Sequence, residues 1–149
     1  MSFDLRIIEG DIELPDTNSA GEALSMNWYV NRYDFALQQV HKILLSPIGE
    51  SRYHPGYGSS LSFISSTTSE PVEIAREIEE SVYKAISNLI ALQQFQVKRQ
   101  LLDPEEMILE IKSVDVFFDS QDPRLLNVVV KIILGNLTEM PASVTVRIQ

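Results

Sequence analysis

The chain contains no cysteine. That excludes disulfides, thiolate metal sites and cysteine nucleophiles together, and it fits a reducing compartment. Histidine is nearly as scarce, with His41 and His54 alone and in no HxxxH or HExxH arrangement, so no metal or other cofactor is expected. Positive charge is short as well: 12 Lys and Arg stand against 21 Asp and Glu, a net of −9 with no basic run. Proteins that bind nucleic acid need a basic surface to displace counterions from phosphate, so DNA and RNA are not expected partners. The acidity suits solubility or a basic partner. Long apolar runs are missing too. Val128–Val130 and Ile132–Leu134 are separated by Lys131, and nothing approaches the ~20 apolar residues of a membrane span. MSFDLRIIEG has neither the basic nor the apolar region of a signal peptide. Absent also are GxxxxGK[ST] and GxSxG, the signatures of a phosphate-cradling loop and of a nucleophile elbow.

What is present reads as one domain over 1–149. The chain is 44% hydrophobic, and at this length roughly 68–70% of the unfolded surface can be buried. FDLRIIEGDIEL alternates around Gly10-Asp11 and predicts a strand, a turn and a strand. PDTNSAGEALSMN reads as loop. Asn31 or Asp34 can cap a helix over RYDFALQQVHKILLS, with Ala36, Val40, Ile43 and Leu44 as its apolar stripe. A second helix opens at Glu70-Pro71 and is expected to run to about Gln100. Ile74, Ile78, Val82, Ala85, Ile86, Leu89 and Leu92 form its stripe, with acids at its start and Lys98 and Arg99 at its end, as the helix dipole favours.

The remainder predicts three strands. In MILEIKSVDVFFD, Leu109 and Ile111 share one face, while Val114, Val116 and Phe118 share the other parity; the phase change predicts a bulge near Ser113. LLNVVVKIILG is apolar on both parities, as in a central strand covered on both sides. SVTVRIQ alternates, with Val144, Val146 and Ile148 on one face, as in a half-exposed edge strand. The fold class is therefore α+β: two helices on a mostly antiparallel sheet, in the order ββ-α-α-βββ.

Between the helices lies LLSPIGESRYHPGYGSSL, residues 44–61. Pro47 and Pro55 stiffen it, and Gly49, Gly56 and Gly58 permit φ > 0 or close backbone approach. Tyr53 and Tyr57 supply amphipathic faces suited either to docking a partner or to pinning the loop to its own core. The one catalytic reading is glycoside cleavage by paired carboxylates, with Glu50 as the acid and Glu9, Asp11 or Glu22 as its partner. Glu50 reads more readily as a structural residue bonding loop N–H groups, and no catalytic residue is expected.

The same stretch resembles a family signature. Gln39, Ile43, Leu44, Leu45, Pro47, Gly49, Glu50, Pro55, Tyr57, Gly58 and Leu61 are similar to the pattern of the small baseplate wedge proteins of contractile-tailed phages. A related baseplate subunit of bacterial type VI secretion systems belongs with them. The upstream DLRIIEGDIEL resembles that family's opening hairpin. The resemblance implies a structural virion protein of the tail baseplate, not an enzyme, despite a lysozyme-like family name. It implies the wedge core bundle and the tail sheath protein as partners, with the tail tube or spike hub as further neighbours. It also implies a fold like the sheath's interlocking domain, whose sheet accepts sheath arms as added strands; Val144, Val146 and Ile148 carry one candidate edge, and the N-terminal hairpin is the other. Many relatives carry Glu-Pro-Arg after the long helix. Here Asp103-Pro104-Glu105 keeps an acid and the proline, while Asp122-Pro123-Arg124 keeps the chemistry one strand later. Asp103, Pro104 and Arg124 are therefore the candidate contacts.

Overall fold

The computed structural model describes residues 4–5, 7–8, 11–12, 29–30, 32–64, 70–122 and 124–147. The N-terminal part contains two short antiparallel pairs: β1 (Asp4–Leu5) with β4 (Tyr29–Val30), and β2 (Ile7–Ile8) with β3 (Asp11–Ile12). The expected hairpin is thus present, but Asp11 pairs with Ile8 inside the ladder instead of forming the turn. β4 was not expected, because two residues carry no readable periodicity.

α1 (Arg32–Leu45) buries Ala36, Val40, Ile43 and Leu44 as the spacing predicts. Asp34 lies inside the first turn, where it complements the dipole, and so is not the cap; Asn31 lies outside the described residues. α2 (Pro71–Val97) has Pro71 in its first turn, and the N–H groups of Glu73 and Ile74 both bond to the Glu70 carbonyl. Its stripe is buried apart from half-buried Leu92, and Ser81 and Gln93 are buried beside it. The helix stops three residues before Gln100. There the N–H groups of Arg99 and Gln100 share the Gln96 carbonyl in a closing turn.

The three closing strands, β5 (Ile108–Phe118), β6 (Leu125–Leu134) and β7 (Glu139–Arg147), form an antiparallel sheet in the order β5-β6-β7. The expected bulge falls between Ile111 and Ser113, and a second lies between Ile108 and Glu110. The second shift separates Leu109 from Ile111: Ile108 enters the core, Ile111 packs partly against it, and Leu109 stays exposed.

β6 is central, as read, but both its faces are not equally covered. Leu126, Val128, Val130, Ile132 and Leu134 are buried toward the helices, α2 lying along β5 and α1 along β7. Val129 and Ile133 on the opposite face are half-buried, among exposed Asn127 and half-buried Lys131. Their β-branched side chains suit a central strand's backbone and its lateral neighbours without needing a second layer. The α+β arrangement of two helices and a three-stranded antiparallel sheet stands as predicted.

Candidate functional site

The loop after α1 is tied at its neck. Pro47 and Ser59 form an isolated parallel bridge; Ile48 N–H donates to Ser59 O at 2.9 Å and Ser59 N–H to Ser46 O at 2.8 Å. Buried Ser59 also donates its hydroxyl to Leu44 O at 2.6 Å, joining the loop's return to the end of α1. This close approach explains Gly58, which has φ +117 and whose missing Cβ would lie 2.6 Å from Ser46 O. Gly49, at φ +87, supplies the outward turn. Leu61 then plugs the core, and Ser60 bonds to Ser81 of α2 through both its N–H and its hydroxyl.

The two tyrosines separate. Tyr57 is half-buried against the core, while Tyr53 projects at the loop tip with 88% of its surface exposed. Pro55 is exposed beside it. Glu50 is exposed, its N–H donating to Pro47 O at 3.4 Å. Its expected partners Glu9 and Glu22 lie outside the described residues, as does the side chain of Asp11. Among the described residues no cluster of three His, Asp or Glu could hold a metal ion, and no helix is long and apolar enough to cross a membrane.

The candidate contacts after α2 are not brought together. Asp103 and Pro104 lie in the turn before β5, and Arg124 lies beyond its far end. An 11-residue strand separates them by roughly 35 Å. In the first turn Glu106 is completely buried and its carboxylate accepts from Asp103 N–H at 3.3 Å. Gln93 of α2 donates to Glu106 O at 3.2 Å and accepts from Ile108 N–H at 2.9 Å. A strand partner would satisfy the same two outward groups, so Gln93 closes the start of the β5 edge. The two bulges interrupt the edge further along. A polar residue on an otherwise apolar stripe was the signal for Gln93, and only the tertiary fold shows what it binds.

The β7 edge differs. Its ladder with β6 is regular from Glu139 to Arg147. Leu134 N–H bonds to Thr138 O where the hairpin closes; alternation then aims the backbone groups of even-numbered residues at β6 and of odd-numbered ones outward. Two features agree. Pro141 has no N–H to leave unpaired, and His41 Nε2 of α1 donates to Ser143 O at 3.1 Å from the open side. Val144 and Val146 are therefore core residues, buried and bonded to β6. Among the described residues the outward groups are those of Glu139, Pro141, Ser143, Thr145 and Arg147, and Ile148 lies outside them. Within Ser143–Arg147 five of these groups are not taken by His41: three N–H and the carbonyls of Thr145 and Arg147.

Two helices laid on one face of a three-stranded antiparallel sheet define the class of fold. Among solved structures, the chain is similar to a crystal structure at 1.44 Å resolution described as a "putative tail lysozyme" from Geobacter sulfurreducens. The TM-score is 0.56 at 15% identity, covering 76% of this chain and 88% of that one. At that identity the likeness is one of fold. No family model matches the chain, and no curated protein matches it.

Proposed function

We propose that this chain is a structural component of a contractile tail, a baseplate wedge subunit whose β7 edge receives an extended arm of the sheath protein. The observation that carries the reading is the regular, outward-facing edge at Ser143–Arg147, whereas the opposite edge, on β5, is bulged and is closed at its start by Gln93. The fold likeness to a protein described as a "putative tail lysozyme" supports the tail association, as does the resemblance of the 44–61 motif to the wedge family. On this reading the protein acts by shape, without a catalytic residue or cofactor.

Strand addition alone is weak. Five backbone bonds at a net 0.5–1.5 kcal/mol each contribute roughly 2.5–7.5 kcal/mol. Ordering five arm residues costs about 1–2 kcal/mol apiece. Side-chain anchors and repetition around a ring must supply the surplus, so a single copy binds the arm feebly and a ring of copies binds it well. The test is electron microscopy of particles made from the same locus with this gene deleted. Tails without sheath, or no tails, are the expected outcome; intact sheathed tails would overturn the reading.

A further inference from the structure

A cleft of about 300 Å³ lies between the loop tip and the second half of α2, lined by Tyr53, Pro55, Tyr57, Asn88, Leu92 and Phe95 among others. Asn88 Nδ2 donates to Gly56 O at 3.2 Å and ties the tip to the helix. Two walls project: Tyr53 is 88% exposed and Phe95 67%. Two large aromatic side chains bared across one cleft are the composition of an interaction surface and not of an ordinary solvated face.

Charge says what the cleft suits. Residues 70–80 hold five acids and one base, whereas residues 81–100 hold Lys84, Lys98 and Arg99 and no acid. Lys98 Nζ stands 5.3 Å from the centre of the Phe95 ring, a cation–π contact that fixes a positive charge at the rim. Loop residues 51–60 add exposed Arg52 and no acid, with exposed Glu50 lying just before them. An aromatic slot with a cationic rim thus sits on a chain of net charge −9. A basic partner would be drawn to the start of α2 and away from this end.

We propose that the cleft binds an acidic peptide segment of a partner protein, with one large apolar side chain seated between Tyr53 and Phe95. Carboxylates on either side of that anchor face Lys98 and Arg52. The assignment rests on the cleft and its charge and does not depend on the tail reading, which concerns the β7 edge.

The experiment is a selection from a random peptide library against the intact chain, followed by affinity measurements on the surviving peptides. Survivors are expected to be rich in Asp and Glu around a Phe, Leu or Trp. They should bind Phe95→Ala and Tyr53→Ala at least about tenfold more weakly than the wild type, and Lys98→Glu more weakly as well. Affinity should fall as salt rises from about 0.1 M to about 1 M, where the Debye length shrinks from roughly 10 Å to roughly 3 Å. All three side chains are exposed, so circular dichroism should show each variant folded. No survivors, survivors without acidic excess, or binding indifferent to Phe95→Ala would overturn the proposal. Self-association abolished by Phe95→Ala, with no peptide bound, would overturn it in favour of a second copy of this chain.

Discussion

Replacing Gly58 by alanine tests whether the loop neck is as closely built as its geometry says. An added Cβ would stand 2.6 Å from Ser46 O and 2.8 Å from Pro47 C and O, all of them backbone atoms that cannot swing away. The backbone at φ +117 is one that side-chain-bearing residues rarely adopt, at a cost of order 1–3 kcal/mol. Forcing the neck apart adds roughly 1–3 kcal/mol of packing strain. Together these predict a loss of about 2–6 kcal/mol. For a chain of this size each kcal/mol lowers Tm by roughly 2–4 °C, so a fall on the order of 10 °C is expected. Gly56→Ala is the control, because nothing lies within 4 Å of its Cβ position and its φ is not positive; its stability should stay within about 0.5 kcal/mol of wild type. Urea denaturation and calorimetry of both variants make the comparison. Gly58→Ala unfolding within about 0.5 kcal/mol of Gly56→Ala would refute the account of the neck.

Gln93→Leu keeps the side-chain volume but leaves the buried Ile108 N–H without its partner; a loss of about 1–3 kcal/mol is expected in urea denaturation, and an unchanged midpoint would mean that Gln93 does not close the β5 edge. Glu50→Gln should match the wild type in a cell-wall turbidity assay, neither clearing the suspension, whereas clearing by the wild type alone would install Glu50 as a catalytic acid. The N–H groups of Gln121 and Asp122 hold the Asp119 carboxyl below the usual carboxylate range, and the Lys112 side chain does the same for Glu139. Both groups thus stabilise the fold above that range and lose their contribution as pH falls through it; the double variant Asp119→Asn, Glu139→Gln should lose less stability on acidification than wild type, and an identical acid limb would contradict this.

The parts of the fold that were legible in sequence are those with a long, clean period. The stripe of α2 from Ile74 to Leu89 and the alternation of β7 each repeat often enough to leave one reading, and burial follows it. β5 shows the limit. Its phase slip betrayed one bulge, but two successive shifts restored a plausible alternation and hid the exchange of Leu109 for Ile108. β6 misled because β-branched residues favour a strand's backbone whether or not a second layer covers it. The loop motif was legible in part: glycine signals positive φ or close backbone approach, and Gly58 has both. What lay beyond reach was tertiary: that Gln93 closes one edge, that His41 takes one carbonyl of the other, and that Phe95 meets Tyr53 across a cleft. Each joins residues far apart in the chain whose types are individually commonplace.

The central claim, that β7 receives a strand, is tested most directly by Thr145→Pro in co-purification with the sheath and wedge proteins encoded beside this gene. The Thr145 N–H points away from β6, so proline removes a donor from the open edge and spares the ladder. Pro141 already occupies an equivalent position. Apart from losing the Thr145 Oγ1 bond to Asn127 Oδ1, about 0.5–1.5 kcal/mol, the fold should stand. Recovery of sheath by the wild-type chain assembled into rings with the wedge proteins, and its loss from a folded Thr145→Pro chain assembled in the same way, is the predicted result. Sheath recovered equally well by both would contradict the claim.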